Sequence, residues 1–342
     1  MDDAFADLWF HGLAMVGYFG FGPMPLYDPG YANRMRRERA AAGTGPTTLE
    51  QASARFLTTF QSDEAFEVLH FVPLYFRGAG RSEALEALRA VARAGEGIPA
   101  LDGPGRAGAA AVAAVLTRPD QRRVLGEFLA ALEGEWRTVV QPRRMRDAQR
   151  RGHLIQALQS RWDEAYARRL APYLSREGLT VGTVIVVPGL SREGRFLHGD
   201  PQRRDWSVVA AGIHGEGEAA VEGTLSSVVR ELCFPVVRRA IAAFESRLPD
   251  RPTASRVNDL AATRCGELLI EDAAPELAAA YRDRFGIPPG GSAGKFLSTS
   301  RLSAGVAALE SSLDTAIQRE LNRNPDGRRD SPPRFGRQGR KE

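Results

Sequence analysis

Lysine is nearly missing from this chain: of 46 basic residues only Lys295 and Lys341 are lysines, and the other 44 are arginines. With Ala and Gly abundant as well, the arginines reflect GC-rich coding before they reflect a binding surface. Cysteine is scarce too. Cys233 and Cys265 are too few for a disulfide framework, and neither lies in a Cys-x-x-Cys pair, which excludes a secreted disulfide scaffold and a thiolate zinc site. Buried thiols are expected, with a bridge open only if their helices pack side by side. The histidines His11, His70, His153, His198 and His214 include no pair four apart, so no helical His-x-x-x-His grip on a metal exists. A Gly-x-Ser-x-Gly elbow is absent, and no Gly-rich stretch fits a phosphate loop.

Long apolar runs are missing as well. The longest, Phe5 to Phe21, is short for a membrane span and is interrupted by Gly12, Gly17 and Gly20. Asp2, Asp3 and Asp7 open it and the first basic residue is Arg34, whereas a secretory signal opens with positive charge. A buried helix followed by a Gly/Pro turn is expected. Cytoplasmic residence is the default, with export only if the true start lies upstream.

What is present is an ordinary globular composition, 43% hydrophobic over 342 residues, enough for one large core or two modest ones. Residues 323–342 carry seven basic and three acidic side chains, a surplus of +4 that equals the net charge of the whole chain. The rest is therefore neutral, which argues against an extended nucleic-acid surface. Any such contact is confined to the tail, through residues such as Arg328, Arg329 and Arg334.

The pattern divides the chain into a helical part at 1–175, a strand-strand-helix-helix part at 176–321 and a disordered basic tail at 322–342, giving a predominantly α-helical α+β protein. Helical spacing of Phe5, Leu8, Trp9 and Leu13 predicts the first helix. Asp28-Pro29 reads as a cap before Tyr31 to Ala42, Thr47 with Glu50 as a capping box, and Ser62-Asp63 as a further start. More helices are predicted at 82–94, 106–117, 119–136 and 143–170. Leu179 to Val187 and Trp206 to Ile213 read as strands, the polar Gly194 to Asp205 between them as a loop. A long helix follows through Leu225, Leu232 and Ile241, with a kink expected at Pro235. Helices at 253–272, from Pro275, and at Ser303 to Leu321 complete the pattern.

On the long helix lies Arg230-Glu231-Leu232-Cys233-Phe234, in the frame where a zinc peptidase carries His-Glu-x-x-His. That motif works because positions four apart share a helical face, so two imidazoles hold Zn²⁺ while the Glu polarises its water. Here Arg230 has no lone pair to give and Phe234 has no donor atom.

With Thr183 to Leu190, Trp206 to Gly212, Ser227 to Pro235 and Val257 to Arg264, the sequence resembles bacterial gluzincin-type zinc metallopeptidases, in which paired strands precede the metal helix. Leu8 to Ala14 and His70 to Phe76 look like that group's N-terminal helices, so the likeness covers roughly residues 1–285. The resemblance implies a zincin-like fold and places Arg230 and Phe234 at the two histidine positions, Glu231 at the general base and Asp259 at the carboxylate ligand. Two of three ligands are then lost, and no cofactor is expected unless the site is rebuilt or its ligands are relocated. The function this implies is that of an inactive metallopeptidase-like protein that binds a peptide or protein in the old cleft. An active hydrolase with relocated ligands and a helical interaction protein with a nucleic-acid-touching tail are the alternatives.

Losing the cation would leave Glu231 and Asp259 facing one another, which is unfavourable. Arg230 is expected to bridge to Asp259 and hold the two helices together as zinc once did. For relocated ligands the chain offers His198-Gly199-Asp200 and His214-Gly215-Glu216, whose simpler reading is loop polarity. Tyr281, a possible ancestral transition-state donor, reads better as core.

Overall fold

A computed structural model describes residues 1–19, 25–94, 105–199, 205–287, 296–297, 300 and 302–323. It is predominantly helical with one small sheet, as the pattern predicts. Nearly all of the basic tail lies outside the described residues, as do Gly20, Asp200 and most of the Gly-rich stretch after Gly286. No helix among the described residues is long and apolar enough to cross a membrane.

The first half is built from α1 (Ala4–Val16), α2 (Tyr31–Ala41), α3 (Thr48–Ser62), α4 (Val72–Tyr75), α5 (Arg81–Arg93), α6 (Gly105–Val115) and α7 (Pro119–Glu135). Asp3 caps α1, whose residues from Phe5 to Val16 are all buried, and the chain leaves it through Gly17 in the left-handed region at φ 78°. The capping box of Thr47 and Glu50 opens α3 as predicted. Asp28 does not cap α2 directly; it accepts from Gly30 N–H, and the helix starts only at Tyr31.

Two helices predicted apart are one helical run. After α7 come a π-helical turn at Trp136–Val140, α8 (Gln141–Arg161), a second π segment at Trp162–Ala167 and α9 (Arg168–Arg176). Pro142 does not break the run because it falls where the wider π turn hands over to α8, where its missing N–H is tolerated.

The sheet has the order β1 (Gly182–Val187), β3 (Ser207–Gly212), β2 (Arg195–Leu197), with β1 parallel and β2 antiparallel to β3. β2 corrects the reading of Gly194 to Asp205 as loop alone: three residues with no apolar alternation pair because β3 offers a free edge. Strand periodicity sends Ile185, Val187, Val208 and Ala210 into a core formed by α1–α7, while Val186, Val209 and Ala211 enter a second core. That second core is built from α10 (Gly217–Leu232), α11 (Phe234–Ala242), α12 (Arg251–Ala273), α13 (Ala278–Phe285), α14 (Ala304–Ala307) and α15 (Glu310–Leu321), together with α9. The sheet is thus covered on both faces, and all six residues of β3 are buried.

The predicted kink at Pro235 is a break at Cys233: α10 ends there and Pro235 sits in the first turn of α11. Cys233 and Cys265 are both buried free thiols, brought together where the end of α10 packs on α12.

Candidate functional site

Arg230 and Glu231 occupy the last turn of α10, and Asp259 and Thr263 lie one turn apart on the facing α12. The Arg230 side chain is wholly buried, one of the largest in the molecule to be so. Its Nη1 donates to Glu231 Oε1 in a short contact, its Nη2 to Asp259 Oδ1 at 3.1 Å and to the Asp259 carbonyl at 3.3 Å. Nε donates to Thr263 Oγ1 at 3.1 Å, and that hydroxyl donates in turn to the Asp259 carbonyl. The guanidinium also sits 5.6 Å from the centre of the Phe234 ring, a cation–π distance. Four residues singled out in the sequence are therefore in one place, with the expected bridge between Arg230 and Asp259.

A third carboxylate stood outside the sequence reading. Glu193, in the connection from β1 to β2, is 1% exposed and places Oε1 3.7 Å from Arg230 Nη2. The next residue, Gly194, donates its N–H to Glu231 Oε1 at 3.0 Å. Only glycine fits here, because a Cβ would lie 2.3 Å from the Ala210 carbonyl oxygen and 2.8 Å from Glu231 Cγ. Nothing in the local pattern separates Glu193 from an ordinary solvated loop acid. It is the pairing of β2 with β3 that draws this loop across the end of α10.

The charges explain the protonation. Burial alone would lower the Arg230 pKa, but Glu231, Glu193 and Asp259 hold it above the ordinary arginine value. Glu193 is pushed up to about 8, first by burial and then by Asp259, against the pull of Arg230 and Arg195. At neutral pH Glu193 then carries a proton beside the Arg230 guanidinium, whose hydrogen bonds go to Glu231 and Asp259. Ionising Glu193 would add an uncompensated charge where water does not reach it.

This arrangement does not fit zinc. Neither Arg230 nor Phe234 carries a donor atom, the helix breaks between them at Cys233, and the guanidinium fills the centre of the carboxylates. Among the described residues no three His, Cys, Asp or Glu side chains gather in a way that would hold a metal ion. The two loop histidines do not meet. His198 lies against Ser207 at the start of β3 and His214 follows its end, seven residues further, a separation of roughly 20 Å at about 3.3 Å per residue. Tyr281 is buried and donates to the Thr263 carbonyl at 2.9 Å, a structural bond.

No family model, curated protein or solved structure matches this chain.

Proposed function

We propose that this protein is a metallopeptidase-like scaffold in which a guanidinium has taken the place of the zinc ion, and that it binds ligands without hydrolysing them at this centre. The observation carrying the reading is the burial of Arg230 between Glu231 and Asp259 on two different helices, in the frame of a His-Glu-x-x-His motif. One positive centre that ties a helix end to the facing helix through carboxylates is the structural service a zinc ion performs in a peptidase. The same bonds tie Glu231 down through one oxygen, Oε1, to Arg230 and Gly194, while Oε2 is buried without a hydrogen-bond partner among the described residues, so this carboxylate serves as a counter-charge to Arg230. The opposite ends of β3 occupied by His198 and His214 weigh against relocated ligands.

Metal analysis of the purified protein tests this, set beside the double variant Arg230→His, Phe234→His. The native chain is expected to carry no stoichiometric zinc and to show no chelator-sensitive peptidase activity, while the folded double variant takes up zinc. Stoichiometric zinc in the native protein, with hydrolysis abolished by a chelator, overturns the proposal.

A further inference from the structure

A cavity of about 1180 Å³ lies away from Arg230, at the carboxyl ends of β1 and β3. Its walls come from α1, α2, α8 and the start of α10, and it is lined by seven arginines against five carboxylates. Four of those arginines also lean on carboxylates outside the lining, Arg144 and Arg151 on Asp2, Arg161 on Glu222 and Arg146 on Glu38, while Met35, Val140, Leu154 and Ile213 add apolar surface.

At one wall Tyr31 is locked in place by a buried chain of bonds. Its hydroxyl lies 3.0 Å from His11 Nδ1, and His11 Nε2 lies 2.9 Å from Glu135 Oε2, which also accepts from the Thr47 hydroxyl through its other oxygen. The Glu135 carboxyl is held below its usual value: burial pushes it up, but the hydrogen bonds and charge of His11 and the bond from Thr47 outweigh this. Nε2 of the imidazole thus faces the Glu135 carboxyl while Nδ1 lies within hydrogen-bond distance of the Tyr31 hydroxyl. Over the Tyr31 ring lie two guanidiniums, Arg34 and Arg143, each 5.8 Å from its centre. Arg34 is paired with Asp28 at 2.5 Å. Arg143, with its side chain only 23% exposed, has Asp147 at 3.6 Å and otherwise donates to the Met35 sulfur, so its positive charge is undercompensated.

Opposite, α10 begins without a side-chain cap, and Gly215 and Gly217 before it hold left-handed φ of 79° and 69° with open space where a Cβ would be. Glu216 at this mouth is neutralised by Arg150 at 2.8 Å. The unpaired N–H groups of the helix's first turn thus add positive potential on the same side.

We propose that this cavity binds an amphiphilic anion, an apolar body carrying one carboxylate or phosphate, with Arg143 as the principal charge contact and His11 and Glu135 as residues that position Tyr31. The inference does not depend on the peptidase reading. Fluorescence titration of the full-length protein with 8-anilinonaphthalene-1-sulfonate tests it, with competition by octanoate, octyl phosphate, inorganic phosphate and octyltrimethylammonium. Saturable one-site binding is expected, displaced by octanoate or octyl phosphate and not by the cation. The tighter of the two octyl competitors identifies the head group, while inorganic phosphate displaces weakly because it has no apolar body. Arg143→Met is expected to weaken binding by roughly tenfold or more, the loss of one charged contact. Ala157→Trp, which narrows the cavity without changing its charge, should abolish binding while leaving the melting temperature in place. Absence of saturable binding, equal displacement by the cation, or an unchanged affinity in a folded Arg143→Met protein overturns the proposal.

Discussion

Replacing Arg230 with Met removes one positive charge from a site that water does not reach and leaves its volume nearly filled. In the native protein the guanidinium donates to Glu231, to Asp259 and to Thr263, and two of these partners are buried carboxylates. Breaking a buried ion pair from one side costs about 3 to 5 kcal/mol, because the remaining charge stays desolvated and unpaired. Here two carboxylates are left, with Glu193 beside them, so the upper part of that range applies at pH 7. At about 2 °C per kcal/mol for a large chain, Tm should fall by roughly 8 to 10 °C. The stranded carboxyls would bind protons more tightly in the folded than in the unfolded chain, a raised pKa. Their destabilisation is therefore absent below the unfolded pKa and grows as pH rises. The deficit of Arg230→Met relative to native protein should shrink between pH 7 and pH 5. A triple variant that also carries Glu231→Gln and Asp259→Asn should recover most of the lost stability, since no charge is then buried alone. Calorimetry or circular dichroism melts at the two pH values measure all of this. An Arg230→Met protein as stable as native at pH 7 would refute the account of the cluster as an ion-paired tie between α10 and α12.

Glu193 makes a prediction of its own. Its folded pKa is raised, so its stabilising proton is fully held below the unfolded value and lost as pH climbs through about 8. Glu193→Gln should match native stability near pH 5 and exceed it at pH 8.5, by about 1.4 kcal/mol for each pH unit of the raised pKa as an upper bound; native and variant melts that run parallel across this range contradict it. Gly194→Ala forces a methyl against the Ala210 carbonyl and the Glu231 side chain, and is expected to destabilise by about 1 to 3 kcal/mol, read from the denaturant midpoint. Thr47→Ala removes both the cap of α3 and a bond to Glu135, and should cost about 1 to 2 kcal/mol in the same assay.

The continuous β-branched run ending at Val187, the apolar run from Trp206 to Ile213, the capping signals at Thr47 and Ser62-Asp63, and the helical stripe of α10 are local features, and the chain alone sufficed to place those elements. The pairing of Arg230 with Asp259 was expected from the resemblance to zinc peptidases and not from local pattern, and the two side chains do meet, at 3.1 Å. Arg195 to Leu197 and the unbroken run from α7 to α9 escaped that reading. A short edge strand is stabilised by the neighbour it pairs with, and a π turn by the packing that accepts its extra residue, and neither is written in local periodicity. Glu193 joined the centre only because β2 folds back on β3, and Glu135, His11 and Tyr31 met only because α7, α1 and α2 converge. Sequence by itself determined most of the helices and the two longer strands, since propensity and burial pattern act over a few residues. Tertiary structure alone decided which charges share a site and where the cavity opens, because contacts between residues more than a hundred positions apart, such as His11 with Glu135, are set by chain topology rather than by neighbours in the chain.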